Sequence, residues 1–73
     1  MTVEVTVPME GKVFRLVKKA GDQVAENDVL IVLEAMKMEI EVVAPVSGSV
    51  QSIDCSLGQN VEADAVLAVI EAS

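Results

Sequence analysis

One sequence pattern occurs twice in this chain, and the second copy follows the first at an offset of 37 residues. The two copies share prolines and glycines, the residue types that restrict or extend backbone conformation most strongly. The matching pairs are Pro8/Pro45, Gly11/Gly48, Val13/Val50, Gly21/Gly58, Val24/Val61, Val29-Leu30/Val66-Leu67, Val32/Val69 and Glu34/Glu71. Two copies are too few for a solenoid. The repeat therefore predicts a closed unit with a pseudo-two-fold axis, in which neither half buries its apolar face alone.

Each half has the residue pattern of short β-strands. Residues 2–7 alternate polar and apolar side chains and are rich in β-branched residues, which is typical of a half-buried strand. Val29–Leu33 is a continuous apolar run and predicts a well-buried strand. The predicted strands are residues 2–7, 12–17, 23–25, 29–33, 39–43, 49–54, 60–62 and 65–71, with turns at Gly21-Asp22, Asn27-Asp28, Leu57-Gly58 and Ala63-Asp64.

These strands predict an all-β fold, a flattened barrel or sandwich of about eight short strands. Closure removes exposed strand edges, which a chain with 52% hydrophobic residues must do to avoid aggregation. The segment from Val29 to Val42 could be read as a helix, but its Val and Ile content and the alternation after Lys37 favour strands. We expect one domain spanning residues 1–73, with Glu71-Ala72-Ser73 as its natural end.

The composition excludes several classes of function. The chain has no histidine, so a Ser-His-Asp or Cys-His catalytic arrangement is impossible, and a zinc site would lack its usual ligands. A domain of this size is also expected to offer little volume for a substrate pocket. The net charge of −7 and the single aromatic residue, Phe14, argue against nucleic-acid binding. We therefore predict a non-catalytic protein that takes part in the chemistry of another protein.

The sequence also bears on where the protein resides. No apolar run approaches the roughly 18 residues of a membrane-spanning helix, so no direct membrane insertion is expected. The N-terminal residues lack the basic segment and apolar stretch of a signal peptide. Cys55 is the only cysteine, so no internal disulfide can form, and a single thiol suits a reducing compartment. Together these observations predict a cytoplasmic protein.

The residues Ala35-Met36-Lys37-Met38 lie where the two copies meet. They follow one predicted strand and precede the next, so a hairpin at this point projects Lys37 at its tip. Hairpin turns prefer Gly, Asn or Asp, which this chain uses at its other turns but not at this one. An ordinary surface lysine, beside methionines that fill the core, would also explain the spacing of these residues. The departure from turn chemistry favours an exposed lysine kept for covalent attachment.

The segment Glu34-Ala35-Met36-Lys37-Met38-Glu39 resembles the biotin attachment motif of biotin carboxyl carrier domains. The framework of that family is similar at further positions, which are Pro8-Met9-x-Gly11, Gly21-Asp22 with Val24, Ala44-Pro45-x-x-Gly48, Gly58 and Val61. The resemblance extends from about Val5 to Glu71. The related lipoyl domains share the fold, but their lysine usually follows Asp and precedes Ala, whereas methionines flank Lys37 here.

The resemblance implies that Lys37 carries covalently bound biotin as its cofactor. Carboxybiotin would then travel on this arm between the biotin carboxylase site and the carboxyltransferase or decarboxylase site of a biotin-dependent enzyme. Met36 and Met38 would frame the lysine and affect how partner enzymes use the biotinyl group, and Glu34 and Ala35 would belong to the surface read by biotin protein ligase. The implied partners are this ligase and the biotin carboxylase and carboxyltransferase subunits or domains. The 37-residue offset leaves no space for the protruding thumb that some members of the family carry.

Two other functions stay open on the sequence. The chain could be a lipoyl carrier with lipoate on Lys37. It could also be an unmodified β-barrel interaction module whose methionine-flanked turn binds a partner directly. The chemical state of Lys37 discriminates among these three functions.

Overall fold

The computed structural model describes all 73 residues and contains eight β-strands and no helix. The strands are β1 (Thr2–Thr6), β2 (Gly11–Leu16), β3 (Gln23–Val24), β4 (Val29–Ala35), β5 (Met38–Val43), β6 (Gly48–Ile53), β7 (Asn60–Val61) and β8 (Val66–Ala72). The prediction of an all-β fold with about eight strands is confirmed. The largest boundary difference concerns β4, which ends at Ala35, two residues beyond the predicted end at Leu33. No helix of the structure is long and apolar enough to cross a membrane.

The strands form two four-stranded antiparallel sheets, with the orders β1-β8-β6-β3 and β5-β4-β2-β7. Each strand of the first sheet is related by the 37-residue offset to the strand at the same place in the second: β1 to β5, β8 to β4, β6 to β2 and β3 to β7. The molecule measures 34 × 17 × 17 Å. The predicted pseudo-two-fold sandwich is therefore confirmed.

The core consists of apolar side chains that the two halves contribute in matching pairs. The buried pairs include Val5/Val42, Val7/Ala44, Val13/Val50, Val24/Val61, Leu30/Leu67 and Leu33/Ile70. No polar or charged residue is buried. Complete burial of one such Leu or Ile side chain contributes about 1.5–3 kcal/mol, and half of these side chains come from each copy. Each sheet takes two of its four strands from each copy, so neither copy alone can form either sheet or the core between them.

The turns repeat as well, and their residue types match their backbone conformations. Positive φ angles occur at Gly21 and Gly58 and at Asn27 and Asp64, two pairs related by the offset. Glycine adopts this region freely, and Asn and Asp tolerate it better than other residues. Polar side chains also close equivalent turns, because the backbone N–H of Lys19 donates to Asp22 and that of Ser56 donates to Gln59.

Two glycines related by the offset allow close packing between strands, and they give a stability test. A Cβ at position 48 would collide with the backbone carbonyl oxygen of Glu71 and lie 3.0 Å from Cα of Ala72, whereas a Cβ at position 11 would lie 2.9 Å from the carbonyl oxygen of Glu34. We expect Gly48→Ala to lower the free energy of unfolding by roughly 3 kcal/mol, because the backbone must move to relieve the overlap. Gly11→Ala should cost less. Urea unfolding of both variants measures the difference, and an equal or larger loss in Gly11→Ala would contradict this account.

Candidate functional site

The turn between β4 and β5 consists of two residues, Met36 and Lys37. Ala35, the last residue of β4, pairs directly with Met38, the first residue of β5. Both turn residues have positive φ angles, 52° for Met36 and 63° for Lys37. This combination identifies a type I′ turn, whose backbone twist matches that of the two flanking strands.

The turn contains no residue that favours its conformation. The other positive-φ positions of the chain hold Gly, Asn or Asp, and only this turn holds residues with long side chains. The left-handed conformation costs an ordinary L-residue about 1–2 kcal/mol, because Cβ approaches the following carbonyl oxygen. Met36 and Lys37 are therefore held in place by the strands on either side against their own conformational preferences. Backbone strain of this kind concentrates at functional sites.

The side chains at the turn point to solvent, while the residue before the turn is buried. Met36 is 82% exposed and Met38 is 65% exposed, so neither methionine fills the core. Lys37 is exposed, and its amine takes part in no hydrogen bond or ion pair. Ala35 is only 8% exposed and anchors the end of β4. The amine of Lys37 is therefore accessible to another protein, while the buried Ala35 anchors the strand from which the turn projects.

Two carboxylates lie directly behind the turn. Glu34 and Glu39 are opposite each other in the pairing of β4 with β5, one position inside the Ala35/Met38 pair, and both are exposed. Like charges opposite each other across two strands are destabilising. In the pairing of β2 with β4, Lys12 lies opposite Glu34, so the strand next to this carboxylate pair carries a cation. Of the five residues from Glu34 to Met38, only Ala35 is buried, and the other four side chains are exposed.

A groove of about 750 Å³ opens beside the turn. We call it the turn groove, and its lining residues are Glu10, Gly11, Lys12, Glu34, Ala35, Met36, Gln59, Asn60, Val61, Glu62 and Ala65. The expectation of little pocket volume was therefore wrong. It failed because the groove lies outside the core, where the ends of β2, β4 and β7 leave a concave surface. Sequence reasoning had no signal for it except that Gly11 and Ala35 are small.

Cys55, the only thiol, is not part of the site. Burial of its side chain raises the pKa of the Cys55 thiol, and the negative charge of Asp54 raises it further. A raised pKa lowers the fraction of thiolate, which is the nucleophilic form. Cys55 packs against the apolar core. It is a structural residue.

Comparison with known proteins gives one family. The chain matches the model of the Biotin_lipoyl family, described as "Biotin-requiring enzyme", over residues 3–70. It is 50% identical over 38 residues to the gamma subunit of glutaconyl-CoA decarboxylase from Acidaminococcus fermentans and 54% identical over 35 residues to the gamma subunit of methylmalonyl-CoA decarboxylase from Propionigenium modestum. These matches cover 52% and 48% of this chain and 26% of each relative.

Solved structures give the same fold. The urea carboxylase of Kluyveromyces lactis matches 97% of this chain with a TM-score of 0.93 and 35% identity. A single-chain, multi-domain long-chain acyl-CoA carboxylase matches 99% of it with a TM-score of 0.91 and 25% identity. The chain corresponds to 6% and 7% of these two proteins. Their similarity to this chain therefore concerns one small domain of each.

The strained turn gives a second stability test. Asn tolerates the left-handed conformation that Met36 adopts, so Met36→Asn should raise the free energy of unfolding by about 0.5–1 kcal/mol. Met38→Asn is the matched control, because Met38 is also an exposed methionine but lies in β5 without a positive φ. Thermal or urea unfolding of both variants measures the effect. A loss of stability in Met36→Asn, or an equal gain in Met38→Asn, would contradict the strain assigned to the turn.

Proposed function

This chain belongs to the Biotin_lipoyl family, and we propose that it is a biotin carboxyl carrier domain in which Lys37 is the attachment residue. The observation that carries the proposal is the two-residue turn, in which an exposed lysine without partners is held in a left-handed conformation between two methionines. Neither packing in the core nor turn preference explains why methionine and lysine occupy the two positions of this turn. Presentation of a single amine to a modifying enzyme explains it.

Each residue of the segment has a distinct part in this function. The ligase activates the carboxyl group of biotin and takes up the proton of Lys37; the neutral amine then attacks the activated carbonyl carbon, so that the amide bond forms as the bond to the activating group breaks and that group leaves. The exposed Met36 and Met38 flank the arm and contact whichever enzyme receives it. Glu34 and Ala35 belong to the segment that biotin protein ligase recognises, with the exposed carboxylate of Glu34 at its surface and the buried Ala35 anchoring the strand end.

The domain is a carrier and leaves the chemistry to its cofactor and its partners. Biotin supplies a ring nitrogen that accepts and donates a carboxyl group. The long arm of the modified lysine raises the effective concentration of that ring at each partner site to about the millimolar range. A rigid sandwich with one mobile arm suits this task. We assign residues 1–73 to this one domain and place the protein in the cytoplasm.

The relatives suggest which enzymes the carrier serves. The decarboxylase gamma subunits and the carboxylases that it resembles support a biotin carboxylase and a carboxyltransferase, or a decarboxylase, as partners. The chain spans about a quarter of the length of the two gamma subunits. Biotin protein ligase is the further partner that the attachment requires.

Intact mass spectrometry tests the proposal. The chain is incubated with biotin protein ligase, biotin and ATP, and we expect one biotinyl increment on the parent chain and none on Lys37→Arg. Lys12→Arg is the matched control and should take up biotin like the parent. Lack of an increment on the folded parent would overturn biotin as the cofactor. An increment with lipoate ligase would then identify a lipoyl carrier, and no modification by either ligase would favour an interaction module.

A further inference from the structure

The turn groove is a feature of one half of the molecule only. The repeat-related residues of the other half do not line a groove of comparable size. There, Ser47 and Ser73 occupy the places of Glu10 and Met36 and lie in contact, because the backbone N–H and the Oγ of Ser73 both donate to the carbonyl oxygen of Ser47, at 3.1 and 3.3 Å. Oγ of Ser47 in turn accepts the backbone N–H of Glu26 at 3.0 Å.

The symmetric framework therefore does not create the groove. The strands of the two halves correspond, yet Ser73 closes the surface in one half by donating to the backbone carbonyl of Ser47, whereas no such bond joins Met36 to Glu10 in the other half. The open half is the one that carries Lys37, and Met36 forms part of the wall of the groove. Because Lys37 follows Met36 directly, the arm of a biotinylated Lys37 would begin one residue from the wall of the groove.

The lining of the turn groove combines amide, charged and apolar groups. The side-chain carbonyl of Gln59 accepts the backbone N–H of Ser56 at 2.9 Å, which fixes the amide and leaves its NH₂ group free to donate. The side chain of Asn60, on the two-residue strand β7, has no hydrogen-bond partner within the chain. Gly11 and Met36 supply apolar surface, and Lys12 supplies a cationic donor.

These groups complement a neutral cyclic urea fused to an apolar sulfur ring. The urea offers two N–H donors and one carbonyl acceptor, which pair with amide and carboxylate groups of the kind that line the groove. The thioether ring fits against the polarizable sulfur of Met36. We propose that the turn groove is a resting site for the uncharged ring of biotin carried on Lys37. This inference rests on the proposed function, since the arm must bear biotin for its ring to reach the groove.

The charge of the groove makes the site selective for one state of the ring. Glu10, Glu34 and Glu62 place three carboxylates in the lining, against the single ammonium of Lys12. Carboxylation replaces one urea N–H with a negative group, which removes a donor and adds repulsion from these carboxylates. The groove thus holds the unloaded ring near the body of the domain and leaves the loaded ring free to reach a partner.

Nuclear magnetic resonance of the ¹⁵N-labelled chain, before and after biotinylation, tests the resting site. We expect the side-chain amide signals of Gln59 and Asn60 and the backbone amide signal of Gly11 to shift on biotinylation. The signals of Gln23 and Gly48, the repeat-related residues, should stay in place. Shifts confined to residues 35–39 would overturn the proposal.

A pair of matched variants separates occupation of the groove from an indirect effect of modification. Asn60→Leu removes the amide from the groove and should abolish the shifts at Gln59 and Gly11, whereas Gln23→Leu, the same kind of change at the repeat-related edge position, should leave them unchanged. Equal shifts in both biotinylated variants would overturn the proposal. Biotin uptake is read from the intact mass of the same samples. Biotin uptake without shifts in the signals of the groove residues would refute the resting site alone. Absence of biotin uptake would refute the proposed carrier function as well.

The dependence on charge is tested with a stable anionic analogue of the loaded ring. Biotin with a carboxymethyl group on a urea nitrogen is placed on Lys37 by chemical synthesis of the chain. We expect the shifts at Gln59, Asn60 and Gly11 to be lost with this analogue. Shifts as large as those of the neutral ring would overturn the selectivity.

Discussion

The rest of the structure depends on the burial of the apolar face of each sheet against the other, repeat-related sheet. Pairs such as Leu30/Leu67 and Val13/Val50 meet between two sheets of identical strand order, and the core contains no polar group. Hydrogen bonds and ion pairs within the core therefore contribute little to the packing of the two sheets against each other. The turn residues and the two close-packed glycines set the register, and the hydrophobic effect holds the two copies together.

This framework lets the β4–β5 turn adopt a conformation that its residues disfavour. Ala35 is buried at the end of β4, and Gly11 lets β2 approach the backbone carbonyl of Glu34 closely. The ends of the hairpin are thereby fixed, so Met36 and Lys37 must span a two-residue gap. The strain is small compared with the burial energy of the core, and it remains localised at two exposed residues.

The sequence predicted the symmetry and the strands because both depend on residue types that repeat. Matching prolines and glycines located the two copies, and the location of Lys37 between them followed. The exact turn did not follow, because β4 extends to Ala35 and β5 begins at Met38, and pairing at strand ends depends on tertiary contacts. The turn groove could not be predicted from the sequence either. Its presence depends on whether residues far apart in sequence bond across the surface, as Ser73 does to the backbone carbonyl of Ser47 at the repeat-related position, and no local pattern encodes that contact.

The features to which we assign the proposed function lie where the two-fold symmetry is broken. Glu34 has a repeat-related partner in Glu71, but Glu39 corresponds to Thr2, so only the Lys37 end of the molecule has two carboxylates opposite each other. At the related position, Glu71 pairs with the N-terminal amine of Met1 at 3.1 Å. The proposed amide bond on Lys37 would change the net charge of the chain from −7 to −8 and remove the cation nearest to Glu34 and Glu39 along the chain. The proposed modification would therefore make the surface around Lys37 more acidic, and a partner with basic groups around its active site would distinguish the modified from the unmodified chain by charge alone.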